Sequence, residues 1–322
     1  MRGYFIKNCR DLLLQFLLAA YLTIFSVHAV AWNGTGHREV IAVAWAMTEP
    51  DTQRAIIQLL DHSDNPTMTL GLQGESAWMA ASLWPDELRD RSDSHADLPS
   101  PSNRRQWLER ARTGEATRRW HFADRNIARP FHLQKAGGLL EPALEAQIML
   151  LADPTMPKAS RAIALAWVSH LVADAHQPLH AASRADPRRP GQLDAGGNTV
   201  TVIDNGRKPP DPLSLHRWWD ELPGHAKPGS SRFENSVIRT TKLAKQVTLA
   251  DVTKPPTAWI EESFDLAREH VYAGLVRDPD NEGVFLIRQD YWLESRNITR
   301  QRLALAGRRL AHIVTQGLQD LR

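Results

Sequence analysis

The stretch 169–180, SHLVADAHQPLH, constrains this chain more than any other. It carries His170, Asp174 and His180. Residues four apart share one face of a helix, about 40° apart in projection. Pro178 has no amide hydrogen, and its ring collides with the carbonyl four residues back, that of Asp174. A helix through His170 and Asp174 must kink or end before His180, so that imidazole is aimed afresh. Two imidazoles and a carboxylate gathered in this way suit a borderline divalent cation, zinc above all. A polar helix face with a capping histidine would give the same spacing, so the rest of the chain has to decide.

Other candidate ligands sit in separate, ordered motifs. His37 lies in WNGTGH, five residues after Trp32. Asp86 is in WPD and His121 in WHFAD. His216 and Asp220, in LHRWWD, are again four apart and share a helix face. With the opening stretch this makes five of the thirteen histidines and three aspartates, and only a fold could bring them together.

The first 31 residues have the pattern of a secretory leader. Arg2, Lys7 and Arg10 give a basic start, 12–27 is largely apolar, and Ala29-Val30-Ala31 fits a small-residue cleavage site. Cleavage there would make Trp32 the N-terminus of a single domain, 32–322, with no remaining membrane span. The leader's three bases and one acid (Asp11), taken from totals of 39 and 37, leave 36 of each. Bulk charge therefore does not announce a nucleic-acid binder. Cys9, in the leader, is the only cysteine. An exported chain without disulfides must be stabilised by its core and by metal. These features point to a periplasmic or secreted bacterial protein.

Periodicity predicts an all-α domain with one small β-hairpin. His37 opens a helix through Val40, Ile41, Ala44, Trp45 and Met47, and 50–60 forms a second with Pro50 in its first turn. Helical sequence over 76–89 is interrupted at Trp84-Pro85-Asp86. A polar, proline-containing loop follows over 92–105, then an arginine-rich helix over 106–120. Amphipathic helices are expected at 139–153 and 159–175. Residues 199–203, TVTVI, read as a strand closed by a hairpin turn at Asn205-Gly206. Helices are expected again at 213–221, 232–247, 256–275 and, with breaks, 283–321. The eleven tryptophans are expected mostly in the core.

The motifs WNGTGH, WPD, WHFAD, HLVADAHQPLH, GGN and LHRWWD, in this order, resemble those of the zinc-dependent S1/P1 nucleases, an all-α family with a trinuclear zinc site. The resemblance runs from Trp32 to Asp220; beyond that only length and helicity agree. It implies three Zn2+ per chain. Asp86, His121, His170 and Asp174 would hold the first, and His180, His216 and Asp220 the second. Trp32, through its freed α-amino group and carbonyl, would hold the third with His37, Asp174 bridging. An α-amino group, with a pKa near 7.7–8, can donate a lone pair, whereas an amide nitrogen cannot. The resemblance also implies a zinc-activated hydroxide that attacks phosphorus, Asp86 to orient it, and a second zinc stabilising the departing 3′-oxygen.

Four more residues take roles from the resemblance. Arg89 would contact phosphate, Phe122 and Asp124 would stack on a nucleobase and bond its edge, and Asn198 in GGN would touch substrate. The implied substrates are single-stranded DNA and RNA and nucleotides, cut to 5′-phosphate products, with a 3′-nucleotidase activity alongside; no stable protein partner is implied. The absence of cysteine after the leader departs from fungal and plant relatives, which commonly carry disulfides. His176 is expected to be buried and hydrogen-bonded, outside the ligand set. The arginines at 104, 105, 110, 112, 118 and 119 read as a solvated face, diluted by Glu109 and Glu115.

Two rivals remain at this point. A zinc phospholipase C has a similar site, but a longer gap from its N-terminal tryptophan to the first histidine and a glutamate where Asp220 stands. A non-catalytic structural or storage zinc protein would favour closed sites, often with cysteine.

Overall fold

The computed structural model describes residues 32–91, 100–206 and 211–322. The leader expected at 1–31 and most of the loop expected at 92–105 lie outside the described residues.

The organising element is a helix with no exposed face. Of the longer helices, α1 is Gly34–Ala46, α2 Pro50–Asp61, α3 Gly74–Ala81, α4 Trp84–Arg91, α5 Arg104–Thr113, α6 Leu140–Ala152 and α7 Lys158–Ala175. Then come α8 Leu215–Asp220, α9 Ser231–Ala244, α10 Pro256–Leu266 and α11 Gln289–Gly317. From Arg161 to Ala175 every residue of α7 is buried. The amphipathic reading of 159–175 therefore needs correction. AIALAWVSHLVADA is apolar nearly all round, which is the mark of a central helix rather than a surface one. Its neighbours include α6, α11, α1, α2 and α5. The few polar groups on it are accordingly those with a partner or a task.

Both ends of α7 are pinned. Arg161, fully buried, gives Nη1 and Nη2 to the two oxygens of Asp320 at 2.6 and 2.8 Å and Nε to the Leu151 carbonyl at 2.8 Å. At the other end Pro178 has the effect expected of it. The helix stops at Ala175, His176 caps it, and a new short turn, Pro178–Ala181, starts with the proline in its first position. His176 Nδ1 donates to the Val172 carbonyl at 2.7 Å, leaving Nε2 to accept from Arg309 at 2.9 Å. It is buried and hydrogen-bonded, as expected.

Three helical expectations run too long; that over 283–321 does so because 284–286 form a strand and α11 starts only at Gln289. The helix read over 106–120 begins at Arg104 and ends at Thr113, because Gly114 takes φ +78° and its amide closes on the Arg110 carbonyl at 2.8 Å. Left-handed backbone is open to glycine and ends a helix there. His121 therefore rides on a separate 3-10 turn, Arg118–His121. After α10 the chain continues as a π turn, Ala267–Tyr272, and not as α-helix to 275.

The hairpin is part of something larger. Strand β3 (Thr201–Ile203) pairs antiparallel with β4 (Leu213–Ser214). It also pairs in parallel with β6 (Val284–Leu286), which pairs with β5 (Val276–Arg277). The connection spans residues 204–212, so Asn205-Gly206 is not a two-residue hairpin turn. A further parallel pair joins β1 (Arg125–Asn126) to β2 (Ala182–Ser183). These strands of two or three residues are too short for a period-2 pattern to show. Nine of the eleven tryptophans are buried, and several wall the cluster described next. No helix among the described residues is long and apolar enough to cross a membrane.

Candidate metal centre

Six segments deliver one cluster. Asn33 caps α1, its Oδ1 accepting from Gly36 N at 3.1 Å, and this sets His37 in the first turn facing α7. Helix α4 starts at Trp84 with Pro85 next, where a missing amide hydrogen costs nothing, and carries Asp86 in its first turn. The 3-10 turn supplies His121, α7 supplies His170 and Asp174, the Pro178–Ala181 turn supplies His180, and α8 supplies His216 and Asp220. Ser214 caps α8 by accepting from Arg217 N at 3.1 Å.

The distances show how these groups meet. His170 Nε2 lies 2.9 Å from His121 Nδ1, 3.1 Å from Asp174 Oδ2 and 3.6 Å from Asp86 Oδ1. His121 Nδ1 lies 3.2 Å from Asp174 Oδ2 and 3.7 Å from Asp86 Oδ1. Asp174 Oδ1 faces His37 Nε2 at 3.7 Å. His216 Nε2 lies 3.4 Å from Asp220 Oδ2. The rings also stack, His37 on His170 at 4.2 Å and His180 on His216 at 5.0 Å between centroids.

Three rings are held in a fixed tautomer by backbone carbonyls. His170 Nδ1 donates to Ser82 O, His180 Nδ1 to His121 O and His216 Nδ1 to Gly196 O, at 2.7–2.8 Å. Each Nε2 is thereby left as a lone-pair donor. Both nitrogens of His37, Nε2 of His121, His180 and His216, and Asp174 Oδ1 are buried without a hydrogen-bond partner. Buried polar atoms left so are costly, and this many converging in one place fits a cation.

Among the described residues, three groups each bring their donor atoms within 4.8 Å of one another: His37, His170 and Asp174; Asp86, His121 and His170; and His180, His216 and Asp220. Imidazole nitrogen with carboxylate oxygen and no thiolate is a donor set for zinc-like ions.

Electrostatics agrees. Burial pushes His37, His121 and His180 well below the usual imidazole range, and His216 to about 4. Burial pushes His170 down too, but the Asp174 and Asp86 carboxylates outweigh it and the net shift is upward. Burial raises Asp174 to about 6 and Asp220 well above its ordinary value. Two carboxylates that resist ionising beside four imidazoles that resist protonation make an environment in which a bound cation would stabilise the charged acids and use the neutral rings.

The remaining sequence candidates fall around this cluster. Arg89 is 7 % exposed and sets Nη1 3.0 Å from Asp86 Oδ1, so it is not a surface helix charge. Trp32 is buried, with its indole Nε1 on the Ala173 carbonyl at 3.0 Å. The next amide, Asn33 N, donates to the Asp220 carbonyl at 3.1 Å, so the backbone at 32–33 is tied to both ligand helices.

Phe122 is half-buried; Asp124 takes φ +52° and receives the Ser183 hydroxyl. Asn198 donates Nδ2 to the Ala195 carbonyl at 2.7 Å. The arginines at 104, 105, 112 and 118 are exposed, with Arg104 on Asp153 and Arg112 on Glu109.

Several contributors escape sequence reading. Gln177 donates Nε2 to Asp220 Oδ1 at 2.8 Å and accepts Leu179 N at 2.6 Å, so it aims that carboxylate. It sits inside HQPLH, where a carboxamide beside a ligand pair could have been weighed. Ser183 Oγ bridges Asp124 to Gly196 N (2.6 Å), and the Gly196 carbonyl orients His216. Asp194 holds that turn, accepting from Gly197 N and the Tyr272 hydroxyl at 3.0 Å each. Gly138 lies so close beneath Phe122 that a Cβ would stand 1.7 Å from its carbonyl oxygen.

A family model described as S1/P1 Nuclease matches residues 32–319. The chain belongs to this family. As an S1/P1 nuclease it is a hydrolase of phosphodiester bonds in nucleic acid, from a family of zinc enzymes, and its His/Asp groups could hold metal ions. Among curated proteins it is similar to Endonuclease 4 of Arabidopsis thaliana, 24% identical over 302 residues that cover 88% of each chain. It is also similar to Endonuclease 3 of that plant, 26% identical over 311 residues (88% of this chain, 87% of the other). Endonuclease 2 is 31% identical over 160 residues (46% and 49%).

Proposed function

We propose that this nuclease is a trinuclear zinc enzyme that cleaves single-stranded DNA and RNA to 5′-phosphate products and removes 3′-phosphate from nucleotides. The observation that carries the reading is the convergence of three donor groups, with His170 common to two of them. Asp86, His121, His170 and Asp174 would hold one ion; His180, His216 and Asp220 another; Trp32 and His37, with Asp174, the third. When bound, such ions polarise a phosphoryl oxygen and lower the pKa of water toward neutrality.

The protein's own groups do the rest. Asp86, paired with Arg89, accepts a hydrogen bond from the attacking water and so fixes its line of approach. The Arg89 guanidinium, held in place by that pair, offers a planar fork to the phosphoryl oxygens. Phe122 stacks on a base, which tolerates any base, and Asp124 accepts from the base edge. Asn198 positions the sugar–phosphate. Most of the rate would come from such preorganised charge and positioning.

The same proposal makes 1–31 a leader, removed after Ala31 in a bacterial periplasmic or secreted protein. The Trp32 indole bond to the Ala173 carbonyl and the Asn33–Asp220 bond support it, because they hold residues 32–33 against the two helices that carry Asp174 and Asp220. The family match also begins at Trp32.

The test is hydrolysis of single-stranded DNA, RNA, 3′-nucleotides and phosphatidylcholine before and after chelation, with end-group analysis. Chelator-sensitive release of 5′-phosphate ends is expected. Headgroup release from lipid without nucleotide release would replace the reading with a phospholipase C, and zinc-dependent melting with no hydrolysis would replace it with a structural zinc protein.

A further inference from the structure

Asp124 is held by walls on two sides. On one, Ala123 N donates to the His180 carbonyl at 2.7 Å, and Asn126 pairs with Ser183 in the β1–β2 ladder. On the other, a Cβ at Gly137 would stand 3.0 Å from Asp124 Oδ2 and 3.2 Å from its Cβ. Glycine at 137 therefore lets the two segments close while keeping the space beside Oδ2 clear. The walls hold the Cα–Cβ bond, and the turn of the carboxylate about it is left to its hydrogen bonds.

Ser183, fully buried, makes the bond that fixes that turn. Its Oγ lies 2.6 Å from Gly196 N, and a backbone N–H can only donate, so the oxygen accepts there. The one hydroxyl proton is left for Asp124 Oδ1. The Gly196 peptide cannot swing away. Its carbonyl receives His216 Nδ1 at 2.8 Å, and the next amide, Gly197 N, lies 3.0 Å from Asp194 Oδ1. Asp194 is braced in turn by the Tyr272 hydroxyl at 3.0 Å and by Arg184 N at 3.2 Å. Asp124 Oδ1 is thus engaged from inside, and Oδ2 accepts no bond among the described residues.

The count of available oxygens decides which bases are treated alike. A carboxylate with both oxygens available takes two parallel N–H groups, as it does from arginine. Guanine alone offers such a pair on its pairing edge, N1–H beside the 2-amino group. Adenine and cytosine offer one amino group there, and thymine and uracil offer N3–H. We propose that Ser183 is a specificity-determining positioning residue: by occupying Oδ1 it holds Asp124 to a single hydrogen bond with the base edge, through Oδ2, and so keeps the site tolerant of every base. The proposal rests on the placement of a base at Phe122 and Asp124 in the reading above. Without the hydroxyl the carboxylate can turn and accept through both oxygens, and guanine alone gains a second bond.

The test is calorimetric binding of dGMP, dAMP, dCMP and dTMP, all as 5′-monophosphates, to the metal-loaded protein. They share sugar and phosphate, so ratios of Kd isolate the base, and guanine against adenine also cancels the purine stack on Phe122. Wild type should bind dGMP and dAMP alike. Ser183→Ala should raise the preference for dGMP over dAMP about tenfold, the effect of one further bond to a charged acceptor. Ser183→Thr, which keeps the hydroxyl, should bind the two alike again. Ser183→Ala/Asp124→Asn should lose the guanine gain, because a carboxamide accepts through one oxygen only. A general loosening of the turn, or of the metal centre through His216, would weaken all four nucleotides together and leave the ratios unmoved. Ser183→Cys, with a weak donor in place of the hydroxyl, gives the same comparison where the alanine variant does not fold.

An unchanged dGMP-to-dAMP ratio in Ser183→Ala would overturn the proposal, and so would a guanine gain that persists in the double variant. If Asp124→Ala binds all four nucleotides as wild type does, the base does not reach Asp124 and the proposal falls with that part of the reading. If wild type binds nucleotides but cleaves no nucleic acid, the proposed function fails alone, and the binding ratios still decide the role of Ser183.

Discussion

His216 and Asp220 show how single residues are prepared for a cation. The Gly196 carbonyl fixes which nitrogen of His216 is free, and Gln177 fixes how Asp220 is turned. Partners of this kind commonly alter metal affinity by about 10–100-fold. Gln177→Leu should therefore lower the affinity of one zinc by that factor while leaving two bound, as read by competition with a chromogenic chelator; unchanged affinity for all three would remove Gln177 from the site. Arg89→Ala should keep the full metal content and lose about 10²-fold in kcat, the scale seen when one aligned transition-state donor is removed. A change in KM alone, at constant kcat, would make Arg89 a ground-state binder instead.

At the scale of elements, the contact between α10 and α11 gives a pH dependence. Glu262 takes bonds from Arg309 and Arg302 at 2.8–2.9 Å. Burial works to raise this carboxyl, yet the two guanidinium groups outweigh it and hold it at about 2, against 4.5 for an ordinary glutamate. Between those values the unfolded chain binds the proton and the folded chain does not. The stabilisation is thus complete above pH 4.5 and lost as pH falls toward 2. Glu262→Gln leaves two buried arginines uncompensated, a change that costs about 3–5 kcal/mol in comparable cases. It should lower stability at pH 7 and flatten the decline below pH 4.5 in denaturant titrations; a parallel decline in both proteins would contradict it.

The elements also show what sequence carries and what it does not. The end of α7 before His180 was legible because proline acts locally and without exception on the carbonyl four residues back. The i, i+4 pairs His170–Asp174 and His216–Asp220 were legible for the same reason, helix geometry being fixed. The strands β5 and β6 were not, since two- and three-residue pairings to β3 are set by distant contacts. The carbonyls of Ser82, His121 and Gly196 leave no trace in residue type, although they orient three imidazoles. Gly138 carries no signal in the sequence; its role is a close approach to Phe122. Gly138→Ala should lower Tm and raise KM for oligonucleotides together, because overpacking of about 1–3 kcal/mol falls on the Phe122 backbone. A lowered Tm with unchanged KM would dissociate Phe122 from base binding.

For the whole molecule, the central claim is that distant parts of one chain, from α1 to α8, close around metal. With no cysteine after Cys9, ions bound there would be a main cross-link between those parts. A ligand at about 100 times its Kd stabilises by about 2.7 kcal/mol, so chelation should lower Tm by several degrees. The most direct measurement is the number of zinc ions per chain in the purified protein, with intact mass to show whether it begins at Trp32, for wild type and for His37→Ala and His216→Ala. Three ions in wild type and about two in each variant, with hydrolysis lost on chelation, is the expected result. One ion or none in a fully active wild type would contradict the assembly of these residues into a trinuclear centre.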